Sequence, residues 1–458
     1  MNTDVLSTTL LEAYQDYYAR KQGGNGRLYL ACSGGRDSLS LAYACWLLYQ
    51  QGRIDKLPIL LHVHHGWQTA NDDWAKMLSS WAVQYGFECH ILPVKLSKNS
   101  ETHARDARYQ AMMSMMACDD VLMLAHHAND QAETVLMRLA DGAGLQGLSG
   151  IKTWQKKSLM IENSAKTIML WRPWLTATRE CISRFAHQHE LPYVDDATNL
   201  DDRYMRGHLR QHILPQLAIM NPKAITNISR SAALLGGYLA VIDDWLAEKI
   251  PLCADVDNLP YQQVLFLPKL RQFDEAAQQL LIHHWLQADE PVAPPQAISV
   301  QAHRLAYRHD NDHNSQIWWQ GRQAAYVVCR YDNCLYRYRQ DAWQLLQHSM
   351  IQPQRNQDGW VLLDDGNCQL QLHCPPSQIT TVQQQKITIG QYQYRGKKLA
   401  QKLRIPTWLR RHLWQLSIDD NQYLIAPMMA WRLPSGDGLD NFAPIGRMVY
   451  NDKPNRTL

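Results

Sequence analysis

The chain has 458 residues, which is too long for one ordinary hydrophobic core, so two or three domains are expected. A net charge of +3 at pH 7 excludes a general polycation, and any nucleic-acid partner would therefore contact local basic patches. The ten cysteines form no CxxC pair and no metal-like cluster. This pattern argues against a disulfide scaffold and favours reduced thiols in a cytoplasmic protein.

The N-terminal stretch MNTDVLSTTLLEAYQDYYARK (1–21) begins polar and has the spacing of an amphipathic helix. It lacks the basic region and the apolar segment of a signal peptide. No window of the sequence has the uninterrupted apolar length of a membrane span. We therefore expect a soluble, cytoplasmic protein with no membrane partner, and the sequence is compatible with a homodimer as well as with a monomer.

Short apolar runs alternate with helical segments between residues 27 and 217. The runs predict strands and the segments predict helices, the strands at 28–32, 59–63, 89–94, 120–125 and 167–171 and the helices at 38–50, 73–85, 102–117, 129–140 and 177–190. This alternation is typical of βαβ units, so we predict an α/β fold with a Rossmann-like parallel sheet and helices on both faces. Ligands of such sheets bind beyond the carboxyl ends of the strands, where we expect Ser33, His64 and His126.

The pattern becomes mainly helical beyond Pro215 and changes again, to short alternating runs, from about residue 351. We therefore predict three domains: an α/β domain at 1–218, a mainly helical domain at 219–350 and a small α+β domain at 351–458.

The segment SGGRDS (33–38) carries two glycines and two serines from a predicted strand to the start of a predicted helix. Free backbone N–H groups and the positive end of the helix dipole make such a position an anion site. The glycines allow close approach of the backbone, and the serines can donate hydroxyl groups. Asp37 is unusual beside phosphates, and a bridging Mg²⁺ explains it best. For two glycines alone, a helix cap is the alternative.

A second segment, LAHHANDQAETVLMRL (124–139), leaves a predicted strand at His126 and enters a helix. Asp130 and Glu133 are three residues apart and therefore share one face of that helix. With His126 they could bind a cation, either Mg²⁺ or a substrate amine. The alternative is a pair of solvent-exposed carboxylates that complement the helix N-terminus.

The first of these segments resembles the pyrophosphate loop of the ATP pyrophosphatase families, which cleave ATP between its α and β phosphates. The second resembles the AHHxDDQxET signature of the tRNA(Ile)-lysidine synthetases. Further segments resemble elements of that family in the same order, namely ETHARDARYQAM (101–112), DGAGLQGLSGI (141–151), WRPWL (171–175), DDATNLDDRYMRGHLRQHILP (195–215) and GKKLAQKLRIPTWLRRHL (396–413). The resemblance covers most of the chain and is tightest over 27–215.

Three residues depart from the family pattern. Asn129 stands where the signature has its first Asp, Asp141 where the family usually has Arg, and Gly207 where it has Asn. The first departure removes one carboxylate from the expected cation site, and the other two alter local contacts with tRNA or nucleotide.

The resemblance implies a fold of the adenine nucleotide alpha hydrolase type and an enzyme that converts the wobble cytidine of an isoleucine tRNA to lysidine. The tRNA would carry a CAU anticodon, ATP and free L-lysine would be the other substrates, and Mg²⁺ would assist. The reaction would pass through an adenylated cytidine, because AMP on a ring oxygen is a better leaving group than hydroxide. On this view 1–218 is the catalytic domain, 219–350 handles the tRNA substrate and 351–458 binds tRNA.

The resemblance also implies residue roles. Mg²⁺ would sit on Asp37, lysine would be held by Asp130 and Glu133, and His126 would position lysine or transfer a proton, with a purely structural histidine as the alternative. The implied ATP contacts are Ser33, Gly34, Gly35, Arg36, Asp37 and Ser38. The implied catalytic residues are Asp37, Arg108, His126, Asp130 and Glu133. Arg36 would either supply positive charge or face solvent.

Basic residues at two places in the chain are candidates for tRNA phosphates, with solvated basic faces as the alternative reading. Arg105 and Arg108 share a helix face and could contact either ATP or RNA. The predicted tRNA contacts are Arg203, Arg206, Arg210, Lys397, Lys398, Lys402, Arg410 and Arg411. A single-stranded anticodon loop would let the target base enter a pocket without melting a duplex.

Two other functions share these features. A tRNA thiolase would keep the pyrophosphate loop, but such enzymes generally need paired cysteines, which this sequence lacks. A non-catalytic tRNA-binding relative would explain Asn129, although the loop, Asp130 and Glu133 are intact.

Overall fold

The computed structural model describes residues 5–20, 26–64, 70–94, 101–161, 164–194, 205–254, 262–288, 290–308, 315–348, 392–418 and shorter segments between 354 and 452. The chain forms two compact units, Met1–Ile242 and Asp243–Leu458.

A six-stranded sheet forms the centre of the first unit. Its strands are β1 Leu28–Ala31, β2 Ile59–His64, β3 Cys89–Pro93, β4 Val121–Met123, β5 Trp154–Ile161 and β6 Ser164–Trp171. Their order across the sheet is β3-β2-β1-β4-β6-β5, and every neighbouring pair is parallel except β5 with β6. The predicted α/β fold with a mainly parallel sheet is confirmed, and β5 is a strand that the sequence analysis did not predict.

Helices follow the parallel strands, as the alternating pattern predicts. In the first unit they are α1 Val5–Arg20, α2 Arg36–Gln50, α3 Ala70–Tyr85, α4 Glu101–Ser114, α5 Ala128–Ala140, α6 Leu145–Leu148, α7 Arg179–Gln188, α8 Met205–His208 and α9 Leu214–Met220. A π-helical segment, Leu209–Ile213, joins α8 to α9. The long helix α10, Ala224–Cys253, begins in this unit.

The sheet is buried on both faces because successive side chains of a strand point to opposite sides. Leu30 of β1 packs in one core cluster with Leu39 of α2 and Ile182 of α7. Its neighbour Tyr29 packs in the other cluster with Met113 of α4. These two layers hold the strand ends in fixed positions, so loops that leave the strands start from a rigid base.

The strand order places a topological switch between β1 and β4. The chain runs outward from β1 to β2 and β3, then returns to pair β4 with β1 in register, Leu28 with Val121 and Leu30 with Met123. The segments after β1 and after β4 leave the same edge in opposite directions, which opens a crevice between them. That crevice contains the segment SGGRDS on one side and the start of α5 on the other.

The second unit contains short helices and antiparallel sheets. Its helices are α11 Leu267–Leu270, α12 Glu275–Gln287, α13 Gln296–Ala306, α14 Gln340–His348 and α15 Gly396–Lys402. Its strands are β7 Gln262–Phe266, β8 Gln316–Gln320, β9 Ala325–Tyr331, β10 Cys334–Arg339, β11 Gln354–Asn356, β12 Gly359–Asp364, β13 Cys368–Leu372, β14 Gln378–Thr381, β15 Lys386–Ile389, β16 Tyr392–Arg395, β17 Trp414–Ile418, β18 Asn421–Ala426, β19 Met429–Arg432 and β20 Val449–Asp452.

The region 219–350 combines helices with a four-stranded sheet in the order β7-β10-β9-β8. The sequence analysis predicts the helices and misses this sheet. The C-terminal region is rich in strands, as its alternating pattern predicts. The three predicted domain boundaries stay predictions.

One helix among the described residues, α10, is long and apolar enough to cross a membrane by length and composition alone. Only 11% of its most apolar window is buried. The helix also carries Arg230, Asp243, Asp244, Glu248 and Lys249, and charged side chains are costly inside a bilayer. The predicted absence of a membrane partner stays a prediction.

Candidate active site

A cavity of about 210 Å³ lies in the crevice between β1 and β4. It is lined by Ser33, Gly35, Arg36, Asp37, Ser38, His127, Asp130, Arg179, Val194 and Arg210. Most of the predicted ATP contacts therefore border one cavity, together with Asp130 and Arg210 from distant parts of the sequence.

The loop after β1 is shaped by its glycines and serines. Gly34 has a φ of +82°, a conformation that a side chain disfavours, and its carbonyl accepts a hydrogen bond of 3.2 Å from the Val194 N–H. Ser38 accepts from the Ser33 N–H at 3.2 Å and donates to the Gly35 carbonyl at 3.1 Å. The loop is thus held by internal hydrogen bonds before any ligand binds.

Asp37 lies in the first turn of α2, and its two carboxylate oxygens face different cations. Arg36 Nε donates to Oδ1 at 3.1 Å, and His127 Nε2 lies 3.5 Å from Oδ2. Burial alone would raise the pKa of Asp37, but His127 and Arg36 together lower it to about 2. Asp37 is therefore ionised at neutral pH, and Arg36 is an ion-pair partner of Asp37 rather than a solvated side chain.

His127 links the two sides of the crevice and was not singled out by the sequence analysis. It is the N-cap of α5, where its ring accepts from the Asp130 N–H at 3.4 Å while Asp130 accepts from the His127 N–H at 3.0 Å. Burial lowers its pKa, but Asp130 and Asp37 outweigh that effect and the net shift is upward. The doubled histidine at 126–127 was the available signal.

His126 follows β4, as expected, but does not line the cavity. Its Nδ1 is buried and has no hydrogen-bond partner among the described residues. Burial lowers the pKa of His126 to about 4, with Asp130 opposing and Arg172 adding to that shift. The imidazole is therefore neutral at neutral pH, so it can accept a proton but cannot supply one.

Glu133 and Arg210 form a two-bonded ion pair. Arg210 Nε donates to Oε1 at 2.8 Å and its NH2 group to Oε2 at 3.1 Å, while Glu133 is only 1% exposed. The Arg210 NH2 group also lies 4.0 Å from Asp130. Burial would lower the pKa of Arg210, but Glu133 and Asp130 raise it. The sequence analysis assigned Glu133 to lysine and Arg210 to tRNA, and in the structure they contact each other.

Asn129 and Arg179 also meet at this site. Asn129 Oδ1 accepts a hydrogen bond of 2.9 Å from the backbone N–H of Arg179, the first residue of α7. Asn129 therefore caps a neighbouring helix. Arg179 lines the cavity and was missed by the sequence analysis, because its sequence context, TATREC, is that of an ordinary helix start.

The glycine turn after α5 is fixed to that helix by two side chains. Gln131 donates to the Ile151 carbonyl at 3.1 Å and accepts from its N–H at 2.6 Å. Arg138 donates to the carbonyls of Gly147 and Gly150, both at 2.9 Å. Of the other two departures from the family pattern, Asp141 is exposed at the C-cap of α5 and Gly207 is buried in α8.

Several predicted residues lie away from the cavity or outside the described residues. Arg105 and Arg108 are exposed on α4, and Arg105 lies over the ring of Tyr109. Arg206 is exposed on α8, and Arg203 lies outside the described residues. None of these is placed at the cavity by the described structure.

The C-terminal basic segment divides into exposed lysines and engaged arginines. Lys397, Lys398 and Lys402 are exposed on α15, with Lys402 over the ring of Tyr394. Arg410 donates to the Ile405 carbonyl at 2.9 Å and to the Tyr331 hydroxyl. Arg411 donates to the Leu346 carbonyl. The two arginines therefore already hold this unit together.

The donor set at the cavity suits a metal bound mainly by a substrate. Among the described residues no group of three or more His, Cys, Asp and Glu side chains could hold a metal ion. Asp37 offers an ionised carboxylate that is 34% exposed. Mg²⁺ is usually held by one or two carboxylates and by substrate phosphates, so Asp37 beside a phosphate loop fits that ion.

The sequence was compared with known families and proteins. A PP-loop domain model matches residues 5–217, and a TilS substrate binding domain model matches residues 265–336. The tRNA(Ile)-lysidine synthase of Psychrobacter sp. strain PRwf-1 is 38% identical over 365 residues, which is 76% of this chain and 69% of that protein. The enzyme of the same name from Photobacterium profundum is 30% identical over 408 residues, 84% of this chain and 88% of that protein.

One solved structure, the U34-tRNA thiolase NcsA from Methanococcus maripaludis, is 18% identical and covers 50% of this chain and 80% of its own, with a TM-score of 0.38. That score is too low to support an inference about function. Both family models and the long sequence matches point the same way, and the chain belongs to the tRNA(Ile)-lysidine synthase family.

Proposed function

We propose that this protein joins L-lysine to the wobble cytidine of an isoleucine tRNA with a CAU anticodon, consuming ATP and releasing AMP and pyrophosphate. The observation that carries this proposal is the cavity at the topological switch, where an anion-binding loop and an acidic helix start face each other. One side suits phosphates and the other suits a cationic amine. The thiolase alternative gains no support, since the family matches favour lysidine formation.

In the first half of the reaction, the ring carbonyl oxygen of the cytidine attacks the α-phosphorus of ATP. The bond to the β-phosphate breaks, and pyrophosphate leaves. Backbone N–H groups of 33–38, the hydroxyls of Ser33 and Ser38 and the dipole of α2 hold the leaving group. Mg²⁺ on Asp37 would neutralise charge on the phosphates while bound.

In the second half, an amine of lysine attacks the ring carbon, and AMP departs with the oxygen. A lysine amine has a pKa of about 10.4 in water, so it must lose a proton before it attacks. Asp130 is 20% exposed at the cavity and is the carboxylate we assign to a lysine ammonium group. Glu133 can share that role only if Arg210 moves away from it. Neutral His126 would accept or orient the proton of the attacking amine.

Lys397, Lys398 and Lys402 supply the exposed charge for tRNA phosphates away from the chemistry. Arg105, Arg108 and Arg206 are the exposed arginines that would contact the tRNA or the nucleotide on the catalytic unit. Cytoplasmic localisation and a homodimer are further proposals.

The deciding experiment incubates the full chain with ATP, radiolabelled L-lysine and unmodified isoleucine tRNA with a CAU anticodon. We expect lysine to become covalently attached to the tRNA and AMP to appear in equal amount. A methionine tRNA with the same anticodon is the control and should remain unlabelled. Absence of label on the isoleucine tRNA, with AMP formed on another tRNA, would refute the proposal.

A further inference from the structure

Three guanidinium groups border the cavity, and two of them are engaged by carboxylates. Arg36 is paired with Asp37, and Arg210 with Glu133. The guanidinium of Arg179 lines the same cavity, and within the described part of the chain it makes no hydrogen bond or ion pair. Of these three groups, Arg179 therefore has its hydrogen-bond donors available to a ligand.

The backbone of Arg179 is fixed beside the loop from two directions. Its N–H donates to Asn129 Oδ1 at 2.9 Å, and Thr178, the N-cap of α7, accepts from the Cys181 N–H at 3.3 Å. The Ala128 N–H donates to the Ala177 carbonyl at 2.8 Å. These bonds attach the start of α7 to the start of α5, so the Arg179 side chain begins from a defined position.

The surroundings of Arg179 favour an anion. Burial lowers its pKa, and the positive charges of Arg36 and Arg210 lower it further. An arginine stays protonated in proteins in spite of such shifts, so the charge remains and is only partly compensated by Asp37 and Glu133. A phosphate in the cavity would relieve this repulsion and could accept two parallel hydrogen bonds from the guanidinium.

We propose that Arg179 is a phosphate-binding residue of this site, which contacts the pyrophosphate end of ATP and the pyrophosphate product. Asn129 is its positioning residue. The identity of the reaction rests on the proposed function above, but binding of pyrophosphate to the cavity is measurable without tRNA or lysine.

The first test is calorimetric titration of the full-length protein with pyrophosphate. Arg179→Gln should raise the Kd about tenfold or more, because a charge-assisted, two-bonded contact is lost. Arg179→Lys should fall between that variant and the natural protein, since lysine keeps the charge but not the planar fork. Arg184→Gln is the matched control, because Arg184 lies on the same helix, is 70% exposed and pairs only with Glu180.

Equal binding by the Arg179→Gln variant and the natural protein would overturn the proposal, as would an equal loss in the Arg184→Gln control. The Lys variant covers the case in which Arg179→Gln does not fold, because it retains charge and approximate length. If pyrophosphate binding follows the expected order while lysine is not incorporated into tRNA, only the proposed function fails.

A second test separates positioning from general stability. Asn129→Ala should raise the Kd for pyrophosphate about threefold to tenfold, whereas Asn129→Asp keeps an acceptor for the Arg179 N–H and should stay within about threefold. In the double variant with Arg179→Gln, the Asn129→Ala change should add no further loss, because it acts through Arg179. Additive losses in that double variant would contradict the positioning role.

Discussion

The two basic regions of this molecule use their charges in different ways. Around the cavity of the first unit, Arg36 and Arg210 face carboxylates, and Asp37 is further flanked by His127. In the second unit, Arg410 and Arg411 donate mainly to backbone carbonyls, and Lys397 and Lys398 on the preceding helix are exposed. The first arrangement balances charge around a small ligand. The second combines structural arginines with a lysine surface suited to a large polyanion.

The comparison teaches that charge in a sequence is not the same as charge available to a partner. A buried or carbonyl-bound guanidinium contributes to stability, and its removal changes folding before it changes binding. An exposed lysine contributes little to stability and acts on binding through the salt-dependent attraction to phosphates. Substitutions in the two regions should therefore differ in what they alter.

The largest effect is expected from Asp37→Asn. This change removes the ionised carboxylate beside the phosphate loop and leaves the shape of the side chain intact, so AMP formation should fall about 100-fold or more. Asp73→Asn, on the exposed face of α3, is the control. Rate measurements of AMP release would check this, and activity within about threefold of the natural protein would remove Asp37 from the site.

Arg210→Met should have the next largest effect, and on stability. It leaves Glu133 buried and without its strongest partner, which should lower the free energy of unfolding by about 2–3 kcal/mol. The double variant Arg210→Met with Glu133→Leu should recover much of that loss, since no charge stays buried. Urea unfolding of the single and double variants measures the difference.

Arg184→Met, which breaks an exposed pair, should cost no more than about 0.5 kcal/mol. A loss in Arg210→Met as small as in this control would show that the buried pair carries no special weight.

His126 should make stability depend on pH. Its pKa is about 4 in the folded protein and about 6.5 when unfolded, so the unfolded chain binds more protons between these values. The stabilisation is complete above pH 6.5 and is lost as the pH falls toward 4. Between pH 7 and pH 5 the natural protein should lose about 1–2 kcal/mol more than His126→Gln. Equal losses in denaturant titrations at both pH values would contradict the neutral histidine.

The smallest effect is expected from Lys397→Gln with Lys398→Gln. These exposed substitutions should leave stability within about 0.5 kcal/mol and weaken tRNA binding a few-fold, with a salt dependence reduced by about 1 per phosphate contact. Arg410→Ala should do the reverse, since its bonds to the Ile405 carbonyl and Tyr331 would be lost. The two regions would not differ as described if both changes altered the salt dependence equally.

Local signals in the sequence predict the parallel strands and the loop at 33–38, because apolar runs and glycines act on their immediate neighbours. The strand β5 was missed since exposed Lys156 and Met160 interrupt its apolar pattern. The pair Glu133 and Arg210 was missed for another reason. Its members are 77 residues apart, and only the packed fold brings them together.

The same limit explains Arg179 and His127. Arg179 acts through the place where α7 begins, and that place is set by Asn129, fifty residues earlier. His127 was visible as a doubled histidine, but its position between Asp37 and Asp130 depends on the return of β4 to the side of β1. Residue types were readable from the sequence, whereas their partners depended on topology.

The π-helical segment Leu209–Ile213 has a consequence for aligning relatives of this chain. One residue more than a regular turn is accommodated there, and each residue corresponds to about 100° of rotation around a helix. An alignment that treats 205–220 as one uninterrupted α-helix will therefore assign the wrong face on one side of the segment. A one-residue gap placed within 209–213 will decide whether Arg210 is matched to its true equivalent in another sequence.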